Sequence, residues 1–175
     1  MPKEERRRVP REGGKALPTE KKQPVAVRVW EMAEPLAQEL GLILWDVQFV
    51  KEGAEWYLRV LIDKEGGVSI DDCVDLSHAL DPVLDQEDPI SQEYLLEVSS
   101  PGFERKLTRV EHFEAFLGAP IRVKLHKAAE GYGKLLEGEL LDVTEDGAFT
   151  MQLDETTTVT LDRKECASVN LIEEL

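Results

Sequence analysis

The sequence has little of what hydrolases, redox enzymes and secreted proteins are built on. Its two cysteines, Cys73 and Cys166, stand far apart and form no CxxC pair. That argues against a disulfide framework or a thiolate metal site and fits reduced thiols in a cytosolic protein. The three histidines, His78, His112 and His126, are scattered, and none has a serine or cysteine with a third partner nearby in the sequence. There is no HExxH pair for zinc, and no GxxxxGKS or GxGxxG loop to cradle a phosphate. No apolar run reaches the roughly 18 residues that a membrane span needs. The polar first residues lack the apolar stretch of a secretory signal. These absences set the expectation of a cytoplasmic, non-enzymatic protein with no cofactor, no metal and no membrane contact.

Acidic charge is what the sequence has in excess. The formal net charge is −15, and it is unevenly spread. Residues 1–22 carry eight Lys/Arg against four Asp/Glu, residues 23–108 six against eighteen, and residues 109–175 seven against fourteen. An acidic body is repelled by nucleic-acid phosphates at long range and attracted to basic proteins. With 175 residues, 42% of them hydrophobic, the chain can build one large or two small cores.

Along the chain, residues 1–22 read as a disordered basic tail, because almost no large apolar residue is present to offset the entropy of ordering. Arg6-Arg7-Arg8 is a candidate RNA contact within it. Val25, Val29, Met32, Ala33, Leu36 and Leu40 then recur at helical spacing between Pro24 and Gly41, with Pro35 interrupting the backbone bonding. Ile43, Trp45, Val47 and Phe49, and after a turn Trp56, Leu58, Val60 and Ile62, alternate with polar or outward positions, as in a hairpin buried on one face. Ser69 caps a second helix, with Ile70, Cys73, Val74, Ser77, Leu80 and Leu84 inward and Asp71, Asp72 and Asp75 on the other side. Tyr94, Leu96 and Val98 make a third strand. The predicted N-terminal domain, residues 23–107, is thus helix–strand–strand–helix–strand, with both helices on one sheet face.

A short connecting helix is expected over 108–118, with Val110, Phe113 and Phe116 inward. From 119 to 175 the pattern is that of five short strands with close turns, which predicts a small closed β-barrel. Gly138 marks a bulge or a close approach, and Asp146-Gly147 a hairpin turn. The fold class is α+β: an α/β domain followed by an all-β one.

Two surfaces are candidates for binding. One is acidic, Asp71, Asp72 and Asp75, suited to a Lys/Arg-rich protein. The other is basic. It joins Arg105 and Lys106, in the hinge formed by Ser99, Ser100, Pro101 and Gly102, to Arg122, Lys124 and Lys127, and suits RNA phosphates. The same aspartates admit an alternative reading as a metal-dependent nucleic-acid hydrolase. The barrel admits another, an Sm-like binder of single-stranded RNA, although Tyr132 is its best aromatic for stacking.

Two stretches carry a family resemblance. Leu58-Arg59-Val60-Leu61-Ile62-Asp63-Lys64-Glu65-Gly66-Gly67-Val68-Ser69-Ile70-Asp71-Asp72-Cys73 resembles the ribosome maturation factor RimP family, and so does Leu96-Glu97-Val98-Ser99-Ser100-Pro101-Gly102-Phe103-Glu104-Arg105-Lys106-Leu107. The family pattern has Leu-Asp-Arg-Pro-Leu after the glycine. Phe103, Glu104 and Lys106 depart from it, and Lys106 in place of proline loosens the hinge and adds a charge. The resemblance implies a KH-like N-terminal domain and an SH3-like or Sm-like C-terminal barrel. It also implies a cytoplasmic, non-enzymatic factor that matures the small ribosomal subunit; the chain itself is expected to act as a monomer. Its implied partners are the immature subunit, ribosomal RNA and a basic small-subunit ribosomal protein. No KH-type GxxG loop is evident, and the family supplies no catalytic residues to carry over.

Overall fold

The computed structural model describes residues 2–9 and 23–174 and divides into two compact units, residues 1–101 and 102–175. The first contains strand β1 (Lys3–Arg8), helix α1 (Val25–Glu39), strands β2 (Ile43–Glu52) and β3 (Glu55–Asp63), helix α2 (Ile70–Glu87) and strand β4 (Tyr94–Ser99). Its sheet has the order β1-β4-β3-β2, with β3 and β4 parallel and the other neighbours antiparallel. The β3–α2–β4 crossover requires the parallel pair, since two parallel strands need a long connection and a helix supplies it.

Period-two and period-3.6 patterns meet in one apolar core. Leu58, Val60 and Ile62 of β3 and Leu96 and Val98 of β4 lie fully buried against Val29, Ala33 and Ala37 of α1 and Cys73, Leu76 and Leu80 of α2. Both helices therefore serve one core, as the stripes predict. Two inward assignments are corrected. Ile70 is exposed and Leu76 is buried in its stead, because the cap at Ser69 sets the helical phase. In β2, Ile43 is exposed while Leu44 and Val47 enter the core, because a bulge between Leu44 and Asp46 changes the side-chain phase.

The tail expectation is corrected over Lys3–Arg8, which forms β1 and pairs with β4 from Lys3↔Ser99 to Arg8↔Tyr94. Residues 10–22 lie outside the described residues. The strand has no apolar face, so composition could not announce it. Its partners lie more than 40 residues away in sequence.

The second unit contains helix α3 (Val110–Ala115) and strands β5 (Pro120–Ala129), β6 (Gly133–Val143), β7 (Ala148–Gln152), β8 (Thr158–Asp162) and β9 (Cys166–Leu171). Their order is β8-β7-β6-β5-β9, all antiparallel. The predicted closed barrel is corrected to a five-stranded sheet. Among the described residues no ladder joins β8 to β9. A three-residue 3-10 turn, Arg163–Glu165, carries the chain from one edge strand to the other.

Phe113 of α3 packs on Phe149, ring centroids 5.0 Å apart, above Ile121, Val123, Leu140 and Met151. Gly138 is a close approach, as expected: a Cβ there would stand 2.1 Å from the Gln152 carbonyl oxygen. Two amides, those of Thr108 and Arg109, donate to Nδ1 of the buried His112 at 2.9 and 3.2 Å, so this histidine serves as a helix-start acceptor. No described helix is long and apolar enough to cross a membrane.

Candidate functional site

The acid side of α2 begins at its cap. Ser69 Oγ accepts from the Asp72 amide at 3.1 Å, and the Asp72 carboxylate accepts from the Ser69 amide at 2.9 Å. Lys64 Nζ lies 3.2 Å from the other Asp72 oxygen. The Ser69 amide, more than any other group, holds the Asp72 carboxyl below the usual carboxylate range. Asp72 is thus occupied in starting the helix. Asp71 and Asp75, one helical turn apart, are exposed. Of the three aspartates grouped from the sequence, two face outward and one is half-buried in the capping box.

Further along α2 the carboxylates meet β1. Arg6 and Arg8 both pair with Asp81, Arg8 at 2.6 Å, and Arg8 also pairs with Asp85. On the other strand face Arg7 reaches Glu93 at 2.5 Å and Glu55 at 3.1 Å, and Lys3 reaches Glu97 at 2.6 Å. Arg6-Arg7-Arg8, read as a candidate RNA contact, is in ion pairs within its own unit. Glu97 is buried and also accepts from Arg59 Nε at 2.5 Å, while Arg59 is paired with Glu52 at 2.6 Å. Burial pushes the Glu97 carboxyl up, but hydrogen bonds from Lys3 and Arg59 prevail and hold it below its ordinary value. Sequence reasoning did not single out Asp81, Glu93 or Glu97. The signal available was the cation cluster of residues 3–8, which needed anions somewhere.

The proline–glycine corner falls on the division of the chain. Ser99, Ser100 and Pro101 end the first unit, and Gly102, at φ +83°, begins the second. Arg105 Nε donates to the Gly102 carbonyl at 2.9 Å, and its guanidinium sits 5.6 Å from the Phe116 ring centroid. The Arg105 carbonyl accepts from the Leu171 amide at 3.0 Å, and the Leu107 amide donates to the Val169 carbonyl at 2.8 Å. The segment therefore runs antiparallel along β9, with Lys106 opposite Asn170.

Asn170 in turn stands opposite Arg122, and Ser168 opposite Lys124. Directly opposed residues project to the same face, so Lys106, Arg122 and Lys124 share one side of the second unit. Arg105 alternates to the Phe116 side. Glu137, opposite Arg122 and 3.3 Å from it, offsets part of that charge, and exposed Lys127 lies further along β5.

The two thiols are poor nucleophiles. Burial is the main reason that those of Cys73 and Cys166 are pushed up to about 11, so both stay protonated at neutral pH. Among the described residues no three His, Cys, Asp or Glu side chains are gathered as metal ligands.

Residues 32–104 match the family model described as the RimP N-terminal domain. Over this stretch the chain is similar to the RimP family. The acid side of α2, the parallel β3–β4 pair and the serines before Pro101 all lie within the matched stretch. The matched stretch begins inside α1, so the RimP domain takes in Asp71, Asp75, Asp81 and Glu97 but not β1.

Proposed function

We propose that this chain is a RimP-family, cytoplasmic, non-enzymatic factor for maturation of the small ribosomal subunit. It holds a basic small-subunit ribosomal protein against its acidic N-terminal unit, through Asp71, Asp75 and the neighbouring carboxylates. It meets ribosomal RNA through the basic side of the second unit, where Lys106, Arg122 and Lys124 lie, and through Lys127 further along β5. On this reading the N-terminal unit is KH-like in architecture, and the second is the five-stranded antiparallel sheet with α3 packed on it. The corner Ser99-Ser100-Pro101-Gly102, with Arg105 after it, is the hinge, and the chain acts as a monomer.

The match of residues 32–104 to the RimP N-terminal domain carries this reading. The excess of eighteen acidic over six basic residues in 23–108 supports a basic protein partner in particular. A metal-dependent hydrolase has less support, because Asp72 spends its carboxylate on the helix cap. An affinity pull-down from cell extract tests the proposal. Small-subunit ribosomal proteins and RNA should be enriched, and the variant Asp71→Lys/Asp75→Lys should recover less ribosomal protein while melting like the parent. Recovery unchanged by the reversal would remove these aspartates from the site. RNA turnover in magnesium or manganese that Asp72→Asn abolishes would overturn the non-enzymatic reading.

A further inference from the structure

We infer that the β4 edge of the N-terminal unit is a docking track for an extended, Lys/Arg-rich peptide segment of a partner protein, and that β1 is its resident occupant. Three observations converge on this. First, β1 adds backbone pairing without adding core. It pairs over six residues with β4, yet none of its residues belongs to the apolar cluster formed by the two helices and the other three strands. The matched RimP domain likewise begins at residue 32, beyond β1.

Second, carboxylates flank the edge on both sheet faces and read alternate positions of the strand. Asp81 and Asp85 take Arg6 and Arg8 on the helix face, while Glu93, Glu55 and Glu97 take Arg7 and Lys3 on the other. This is how strand addition is recognised elsewhere: the ladder gives affinity and alternate side-chain sites give selectivity. Any extended segment with consecutive basic residues fits the same sites.

Third, the attachment of β1 is of an exchangeable kind. Arg7 and both its partners, Glu55 and Glu93, are exposed beyond a third of their side-chain area, and ion pairs so exposed are weak and weakened by salt. The Arg8–Asp81 pair and the Glu97 end of the Lys3 pair are the more buried anchors that an incoming occupant must replace. The occupant is a peptide rather than a nucleic acid, because the edge offers alternating backbone donors and acceptors that a phosphodiester cannot pair. As part of the chain, β1 competes at high effective concentration and keeps weak basic peptides out. An occupant that brings further contacts displaces it. The inference rests on the basic-protein reading above but not on which protein that is.

The test uses the full chain and its Arg6→Glu/Arg8→Glu variant, with a fluorescent peptide of residues 2–9 as the probe, followed by anisotropy at low ionic strength. The variant should bind the peptide at least about tenfold more tightly than the parent, because the tethered competitor has been lost. Adding Asp81→Lys/Asp85→Lys to that variant should abolish binding. Amide exchange on β4 should be faster in the variant than in the parent, and slow again when peptide is added. Equal peptide affinity in parent and variant, or unchanged β4 protection without peptide, would overturn the proposal. So would loss of cooperative unfolding in the variant, since β1 would then be part of the fold. Small-subunit association that persists without peptide binding would remove the track and leave the maturation role standing.

Discussion

Glu97 shows how much one side chain is asked to do in this sheet. It is a buried carboxylate that survives because Lys3 and Arg59 both donate to it, and Arg59 is itself held by Glu52. Hydrogen bonds to a charged group contribute about 1.5–3 kcal/mol, so Glu97→Gln should lower the stability of the N-terminal unit by that order at pH 7. Since the carboxyl is depressed in the folded state, its contribution is complete above its ordinary value of 4.5 and is lost as pH falls through the lower folded value. Urea unfolding of parent and variant should therefore differ at neutral pH and converge in acid. A constant difference across that range would contradict the ion-pair account. Residue-level assignments were legible where alternation was clean, as at Leu58, Val60 and Ile62. They failed at Ile43 and Ile70, where a bulge and a helix cap set the phase, and neither leaves a mark in hydrophobic periodicity.

At the scale of elements, the strands and helices with an apolar face were legible and β1 was not. The α2 helix carries its own start signal, Ser69 with Asp72 three positions on, and the capping box forms as those two residues require. Strand β1 has no such signal, because charges on β4 and α2 fix it from afar. Gly138 lies between these cases. Its place inside a strand pattern marked a close approach, and the Gln152 carbonyl fills the space that a Cβ would take. Overpacking of this kind costs about 1–3 kcal/mol, so Gly138→Ala should destabilise the second unit by that order and shift β6 against β7. Thermal melts with amide exchange on β6 and β7 would show it, and an unchanged melt would mean the strands part at no cost. The sheet's openness was not legible either, because turn spacing gives strand number but not which edges pair.

For the whole molecule, charge and order of domains were visible from the start, while the placement of functional groups was not. The basic residues of the second unit reached one face only because Lys106, Asn170 and Arg122 stand in one row across three chain segments. Those pairings join positions more than 40 residues apart. Asp71 and Asp75 face outward as the helical pattern required, but the larger set of carboxylates near β1 depended on the β1–β4 ladder.

If, as proposed, this acidic protein engages the small ribosomal subunit through opposite charges, sedimentation of the purified chain with free small subunits is the measurement that decides it. Electrostatic association weakens as salt rises, so the chain should travel with the subunit near 0.05 M salt and leave it by about 0.5 M. A chain that stays at the top of the gradient at the lower salt would contradict the account.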